Sequence, residues 1–547
     1  MGSMVSAILI IFSVLMFSVS LACSSSLIYQ NFLKCATNYS AESISELVYS
    51  PQNSSFSSIL NSTIQNLRLL SSKNPKPLLI ITPTHESHIQ AAVICSKEHS
   101  LQIKVRSGGH DYEGLSYLSN TLFIIIDLRD LRLIDVNMED ETAWVQAGAT
   151  IGELYNGIAE KSSIHGFPAG ICHAVGIGGM FSGGGIGTMM RKYGLACDNI
   201  VDALIVDVNG RILDRKLMGE GLFWAIRGGG AASFGVIISL QIKLVPVPPT
   251  ITVFTVRRTL EGGATKLVHK WQHIADKLHE DLFIRIIIYV ISGQKISSTV
   301  RASFNSLFLG SAKELLPLME NSFPELGLEA KDCIEMSWIN STIYFDGYRN
   351  GESAVDVLMN RTFQSKNFFK AKSDFVKEPI SETGLEGIWK LLLEGEGAVM
   401  VVDPLGGKMS EISKSETPFP HRAGNLYNIQ YRVEWQEAGG GIRATKKQKK
   451  WMKKLYKYMT PYVSNSPRAA YLNYRDLDLG RNKDGNTSYS KARVWGRKYF
   501  KNNFKRLALV KGKVDPGNFF WDEQSIPPLT SREQGRKKKV RDNLFCH

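Results

Sequence analysis

Hydrophobic and polar positions along the chain follow two alternating periods. Leu78–Thr82 is a short apolar run, Glu86–His99 has helical spacing, and Gln102–Val105 reads as a second strand. Leu122–Leu128 fits a fully buried strand and Trp144–Gln146 a half-buried one. Ile151–Lys161 has helical spacing behind the cap-like Thr150. Val201–Val208 and Arg211–Leu213 flank Asn209-Gly210, a two-residue hairpin signal. Pro246, Pro248 and Pro249 interrupt this rhythm and place a domain boundary there. From Thr250 to about Ala470, the strands Ile251–Arg257, Phe283–Ile291 and Asn425–Val433 carry β-branched and aromatic residues. Helical stretches near Gly263–Leu278 and Ala444–Tyr458 alternate with them, which predicts an antiparallel sheet backed by helices. Residues 27–75 read as a helical, Ser/Asn-rich entry segment, and no internal repeat is visible.

Composition narrows the class. The 547 residues are 44% hydrophobic and 21% charged, enough apolar matter to build cores, so intrinsic disorder is excluded for the body. The length fits two or three domains. The formal charge is +14, but much of the excess sits in two places. One is the terminal run Arg536-Lys537-Lys538-Lys539 with Arg541. The other is Lys446, Lys447, Lys449, Lys450, Lys453, Lys454 and Lys457, on a helix with an exposed face. A solvated helix face and a polar tail account for them. With no zinc finger, RNA-recognition motif or basic zipper, no nucleic-acid partner is expected.

Val5–Ala22 is apolar, broken only by Ser, and ends in small residues, the pattern of a secretory signal peptide. A membrane anchor is the alternative, although the run is short for a span. Once the signal is removed, no membrane segment is expected. Six Asn-x-Ser/Thr sequons follow, at Asn38, Asn53, Asn61, Asn340, Asn360 and Asn486. Together they predict passage through the secretory pathway to an extracellular or vacuolar location. In such an oxidising compartment a Cys35–Cys95 bridge between two predicted helices is expected. Cys172, Cys197, Cys333 and Cys546 have no obvious pairing, and no spacing points to a metal.

Three Gly-rich loops lie within one stretch: Arg106-Ser107-Gly108-Gly109-His110, Gly176–Gly187, and Gly228-Gly229-Gly230 with Gly235 shortly after. A Gly pair beside Ser lets backbone N–H groups approach a diphosphate, and Arg106 adds charge. A Gly pair also makes an ordinary tight turn. Three such loops suit an extended ligand with a phosphate bridge, while none has the strand–Gly-x-Gly-x-x-Gly–helix context of a Rossmann site.

The segments 106–114 (RSGGHDYEG), 167–176 (FPAGICHAVG) and 471–478 (YLNYRDLD) resemble the signatures of plant berberine-bridge-enzyme-like proteins. The closing VDPGNFF (514–520) and EQSIPP (523–528) do so too. The resemblance runs from about Leu27 to Pro528. It implies an α+β fold of the vanillyl-alcohol-oxidase (PCMH) type: an FAD-binding domain over 27–249, an antiparallel-sheet substrate domain over 250–470, and a segment 471–528 that returns to the FAD domain. A presequence (1–22) and a basic disordered tail (529–547) flank them. It also implies FAD held twice, by His110 on the 8α-methyl carbon and by Cys172 on C6. An imidazole nitrogen and a thiolate are nucleophiles able to add to the electron-poor ring. Arg106, Ser107, Gly108, Gly109, Val175, Gly176 and Gly235 complete the expected cofactor set.

For catalysis the resemblance points to Tyr474 as base, Arg285 as the cation that lowers its pKa, Gln430 as a hydrogen-bonding residue where other members carry Gln or a catalytic Glu, and Tyr112 as a flavin-site tyrosine. The plainer alternatives are a core aromatic for Tyr474, a solvent-facing strand residue for Arg285 and a backbone-bonded amide for Gln430. Val175 occupies the family's oxygen-gating position, and its small side chain leaves room for dioxygen. The sequence departs from the family pattern at His173, where Pro is common, at Met180 and Ile186, where His and Tyr are common, and at Asn428, where a Lys is found in aromatic-alcohol dehydrogenases. A wall of Met180 and Ile186 favours a hydrophobic aromatic substrate. The expected activity is an FAD-linked oxidase removing a hydride from a prenylated phenolic or alkaloid, with oxidative cyclisation or dehydrogenation and release of hydrogen peroxide. A carbohydrate oxidase, or a non-redox cyclase using FAD as scaffold, is the alternative.

Overall fold

The computed structural model describes residues 27–71, 74–293, 296–347, 352–362, 366–436 and 441–529. Phe123–Asp127 is buried along its whole length because it runs parallel between Leu79–Ile81 and Gln102–Arg106, a position that suits its unbroken apolar pattern. Val48–Tyr49 adds an antiparallel edge to this four-stranded sheet. Five antiparallel strands form a second sheet in the order Ile134–Asn137, Thr142–Gln146, Val236–Lys243, Ile200–Val206, Ile212–Leu213. The predicted hairpin at Asn209-Gly210 closes it, with Gly210 at a φ of 75°.

Residues 251–435 supply every strand of the third large sheet, which has seven antiparallel strands as the β-branched pattern predicts. Period-two alternation gives its faces different jobs. Ile284, Ile286, Ile288, Val402, Ile429 and Tyr431 pack with Trp271, Ile388 and Leu455 of the covering helices. Their neighbours Arg285, Val401 and Gln430 face a cavity. The lysine-rich helix Gly441–Tyr458 buries Gln448, Trp451, Met452 and Leu455, leaving Lys447 and Lys454 outside to pair with Glu396 and Glu394.

The final helices, Tyr489–Phe500 and Asn503–Val514, bury Phe504, Leu507 and Ala508 in the same core as Leu222 and Phe223. Gln102 then donates to the Trp521 carbonyl at 2.8 Å. The last segment is therefore bound to the first two sheets.

Two expectations need adjusting. The entry segment is helical only over 27–39 and Phe56–Ser62, with the strand Val48–Tyr49 between, because Val48 and Tyr49 pair with Ile81 and Ile80. Leu529 belongs to the packed body rather than the tail: it is buried and its N–H donates to Ala508. The signal peptide and the basic run 536–541 lie outside the described residues. The Cys35–Cys95 disulfide is present, while Cys172, Cys197 and Cys333 are free thiols.

Candidate active site

A cavity of about 420 Å³ lies between the seven-stranded sheet and the Gly-rich loops. It is lined by Ser107, Gly108, Gly109, His110, Tyr112, Cys172, Val175, Gly176, Gly235, Arg285, Gln430 and Tyr474, all but one of the residues expected from the sequence. The exception is Arg106. Its guanidinium is buried away from the cavity, donating to Asp127 at 3.1 and 2.6 Å and to the Leu60 and Ile59 carbonyls at 2.8 and 2.9 Å. A buried Arg with its donors so committed anchors the base of the loop and does not meet a phosphate. Lys104 and Arg475 are cations that do line the cavity. Arg475 lies inside the recognised 471–478 motif, so its position was visible although its role was not.

Two loops carrying the expected tethers are pressed together. A Cβ on Gly108 would sit 2.3 Å from the Gly176 nitrogen, and one on Gly176 would sit 2.1 Å from the Gly108 nitrogen, so both positions require glycine. The helix Ile151–Lys161 sets the second loop. Thr150 and Glu153 form a capping box at its start, and the N–H groups of Ile151 and Gly152 donate to the Val175 and His173 carbonyls at 2.9 Å each. Gly179 has open space beside its Cα. This glycine-lined cradle, with an imidazole and a thiol on its wall, fits FAD. Burial lowers His110 to a pKa of about 4, so its imidazole is neutral and nucleophilic near neutral pH. Burial pushes the Cys172 thiol up to about 12, with the Asp346 carboxylate adding to the effect.

The substrate end is aromatic. The Tyr112 and Tyr474 rings are stacked with centroids 5.9 Å apart and planes within 2°. Gln430 Nε2 donates to the Tyr112 hydroxyl at 2.5 Å. Tyr471 stands edge-on to Tyr474 with a centroid separation of 5.0 Å. Met180 and Ile186 line the cavity, whereas Asn428 is buried in the sheet beside Asp403 and is not part of the lining.

Arg285 does face the cavity, yet the expected lowering of the Tyr474 pKa is not what results. Burial raises it well above the ordinary tyrosine value, Asp403 and Tyr112 add to the rise, and Arg285 only opposes it. Desolvation is the main cause, and Asp403, which accepts two hydrogen bonds from Arg285, offsets the charge that would oppose it. Sequence reading missed Asp403 because it lies 118 residues from Arg285, and only the sheet brings them together. It also missed Lys370, whose Nζ bonds Glu113 of the His110 loop and, at 2.7 Å, Asp476 of the Tyr474 loop.

Residues 77–215 match the FAD binding domain family and residues 470–527 match "Berberine and berberine like". The chain is 54% identical over 538 residues to tetrahydroberberine oxidase of Berberis wilsoniae, covering 97% of this chain and 100% of that one. It is 51% identical over 530 residues to O-acetylstemmadenine oxidase of Catharanthus roseus, covering 96% and 99%. The grass pollen allergen Phl p 4, described as a glucose dehydrogenase, shares its fold with a TM-score of 0.86 at 46% identity, over 91% of this chain and 100% of that one. An Ile→Val variant of Phl p 4 is described as a glucose oxidase. This chain thus belongs to the berberine-bridge-enzyme-like family and is an FAD-linked oxidoreductase.

Proposed function

We propose that the protein is an oxidase of a hydrophobic, polycyclic plant metabolite, with dioxygen as the second substrate and FAD attached through both His110 and Cys172. One observation carries the reading: Tyr474, Arg285, Gln430 and Tyr112 converge on a cavity whose wall includes Val175, Met180 and Ile186. When bound, FAD supplies the hydride acceptor. Gln430 holds the Tyr112 hydroxyl, and the stacked Tyr112 and Tyr474 rings offer a flat surface to an aromatic substrate. Tyr474 presents its hydroxyl at the cavity, and Arg285 only partly opposes the burial that keeps it protonated. Val175 keeps the approach to the cofactor open to dioxygen; Phl p 4 changes from dehydrogenase to oxidase with an Ile→Val substitution.

Of the two substrate classes, an amine is favoured over a phenol or alcohol. Removing hydride from an alcohol or phenol needs a base, and Tyr474 is held protonated by burial. An amine's own lone pair assists hydride loss, so a protonated Tyr474 suits it. The relatives named tetrahydroberberine oxidase and O-acetylstemmadenine oxidase support an oxidase of a specialised metabolite. The Cys35–Cys95 disulfide and the exposure of all six sequon asparagines support a secretory-pathway location. No helix among the described residues is long and apolar enough to cross a membrane.

The test is anaerobic mixing of the holoenzyme with panels of polycyclic amines, phenolics and sugars while the flavin spectrum is recorded. Bleaching by the amine panel, followed by peroxide release on admitting air, is the expected result. Bleaching by sugars alone, or product formed with no bleaching, would overturn it in favour of a carbohydrate oxidase or a non-redox catalyst.

A further inference from the structure

Seven lysines fall within the helix Gly441–Tyr458, and the structure sorts them by partner. Lys447 and Lys454 pair with Glu396 at 3.1 Å and Glu394 at 2.5 Å. Lys449 is half-buried and lies in the field of Asp478. The other four, Lys446, Lys450, Lys453 and Lys457, are exposed, as is Arg443. Among the described residues none of these five pairs with a carboxylate, although Glu394 and Glu396 stand beside the same helix.

The five follow one another at steps of three, four, three and four residues, which keeps them on one face. At about 1.5 Å per residue the row is about 21 Å long. It lies opposite the face through which Trp451, Met452 and Leu455 join the core of the seven-stranded sheet. Cations three and four apart on a helix repel one another, so the row weakens the helix that carries it. A string of negative charges laid along the row reverses that effect.

The chemistry of the face narrows the partner. A helix that settles into a bilayer surface needs a free apolar face. Here that face is already buried, and Ile442 is the one exposed large hydrophobic residue of the helix. A single-stranded nucleic acid needs rings on which to stack its bases, and no exposed aromatic accompanies the row. Among soluble polyanions, the secretory-pathway reading above selects acidic polysaccharide, and the inference rests on that reading to this extent.

We propose that Arg443, Lys446, Lys450, Lys453 and Lys457 form a docking surface for an acidic polysaccharide, a linear polyuronate whose successive carboxylates run along the helix. Lysine suits the task, being a compact charge on a flexible stem that adjusts to the spacing of the carboxylates. None of the five lines the cavity, so docking holds the enzyme on a polymer and leaves the active site free.

The test mixes the holoenzyme with fluorescent alginate, a polyuronate, and with dextran as the uncharged control, and reads binding by anisotropy. Wild type binds alginate and not dextran, and its affinity falls as salt is raised. The variant Lys446→Gln/Lys450→Gln/Lys453→Gln/Lys457→Gln binds at least ~10-fold more weakly and with a shallower salt dependence. Gln is a good helix former, so its melting temperature and flavin spectrum report an intact fold. A second variant, Lys34→Gln/Lys216→Gln/Lys243→Gln/Lys491→Gln, loses the same charge from exposed lysines of other elements and weakens less than ~3-fold. Equal weakening of the two variants would mean that net charge alone attracts the polymer, and would overturn the proposal, as would a wild type that ignores alginate at low salt. Binding of duplex DNA or of phosphatidylserine vesicles that depends on the row, with none of alginate, would overturn the polysaccharide in favour of that partner. Glycans on the sequon asparagines, read by mass, support the secretory-pathway reading separately, and bare asparagines would undo it.

Discussion

Arg285 directs both of its hydrogen bonds to a single oxygen of Asp403, from Nε at 2.8 Å and from Nη2 at 2.6 Å. Asp403 is buried and Arg285 nearly so, and the carboxylate cancels much of the field that Arg285 would otherwise exert on Tyr474. The direction at Tyr474 follows: its phenol stays protonated until well above the ordinary tyrosine pKa. With a substrate whose O–H must ionise, Tyr474 acting as phenolate then gives a flavin-reduction rate that climbs with pH through the neutral range and does not level off. Asp403→Asn removes the opposing charge and keeps an acceptor for Arg285, so the Tyr474 pKa falls and the rising limb moves to lower pH. Stopped-flow reduction from pH 6 to 10 checks both statements. The same instrument separates the substrate classes. Tyr474→Phe costs ~10²-fold with a substrate whose O–H must ionise, and under ~10-fold with an amine.

The two glycines that meet between the tether loops give a stability test. Gly108→Ala drives a methyl to 2.3 Å from the Gly176 backbone, which cannot rotate away. Overpacking of this kind costs about 1–3 kcal/mol, so both the melting temperature and the flavin-to-protein ratio fall. Gly179→Ala is the contrast. Its Cβ meets nothing within 4 Å of protein but projects beside the cavity, so flavin content falls while the apoprotein melts as before.

Much of this arrangement was legible in the sequence because it is local. The strand preceding Arg106, the capped helix after Thr150 and the hairpin at Asn209-Gly210 each carry their own short-range pattern, and they form as read. His110, Cys172 and Tyr474 were found because each lies inside a long motif. What local pattern could not supply was pairing. Arg106 stands beside two glycines yet turns to Asp127, 21 residues on. Asp403 meets Arg285, and Asp346 meets His173, across 118 and 173 residues. Each is a contact of a charged group whose partner is chosen by sheet register or helix docking, and neither leaves a trace in nearby residues.

Lys370 is another such contact, and it predicts acid sensitivity. It is buried between Glu113 and Asp476, joining the loop of His110 to the loop of Tyr474. Lys370 and Arg68 hold the Glu113 pKa below its ordinary 4.5 against the opposing effect of burial. A carboxyl lowered on folding contributes stability that is present above its unfolded pKa and lost as pH falls through its folded one. The wild-type melting temperature therefore drops below about pH 4.5, the range set by that ordinary value. Lys370→Met leaves Glu113 with Arg68 and Asp476 with Lys372 as their remaining cations, so near neutral pH it costs less than the ~3–5 kcal/mol of a fully unpaired buried charge. Because the lost pair is the one that acid breaks, the variant's melting temperature varies less with pH than the wild type's over that range.

Val175 carries the claim that dioxygen is the electron acceptor. It lies one residue before Gly176, on the loop pressed against Gly108, and its carbonyl accepts from Ile151, so its backbone has no freedom to yield. A larger side chain there must take its volume from the cavity that Val175 lines. Val175→Ile adds one methylene, and a barrier higher by about 1.4 kcal/mol is enough to slow a step tenfold. The expected result is reoxidation of the reduced enzyme by dioxygen slowed by at least ~10-fold, with anaerobic reduction by substrate changed less than ~3-fold. An artificial electron acceptor that needs no entry beside Val175 restores turnover in the variant. Equal slowing of both half-reactions would mean that residue 175 shapes the substrate site instead, and the oxidase reading would lose its structural basis.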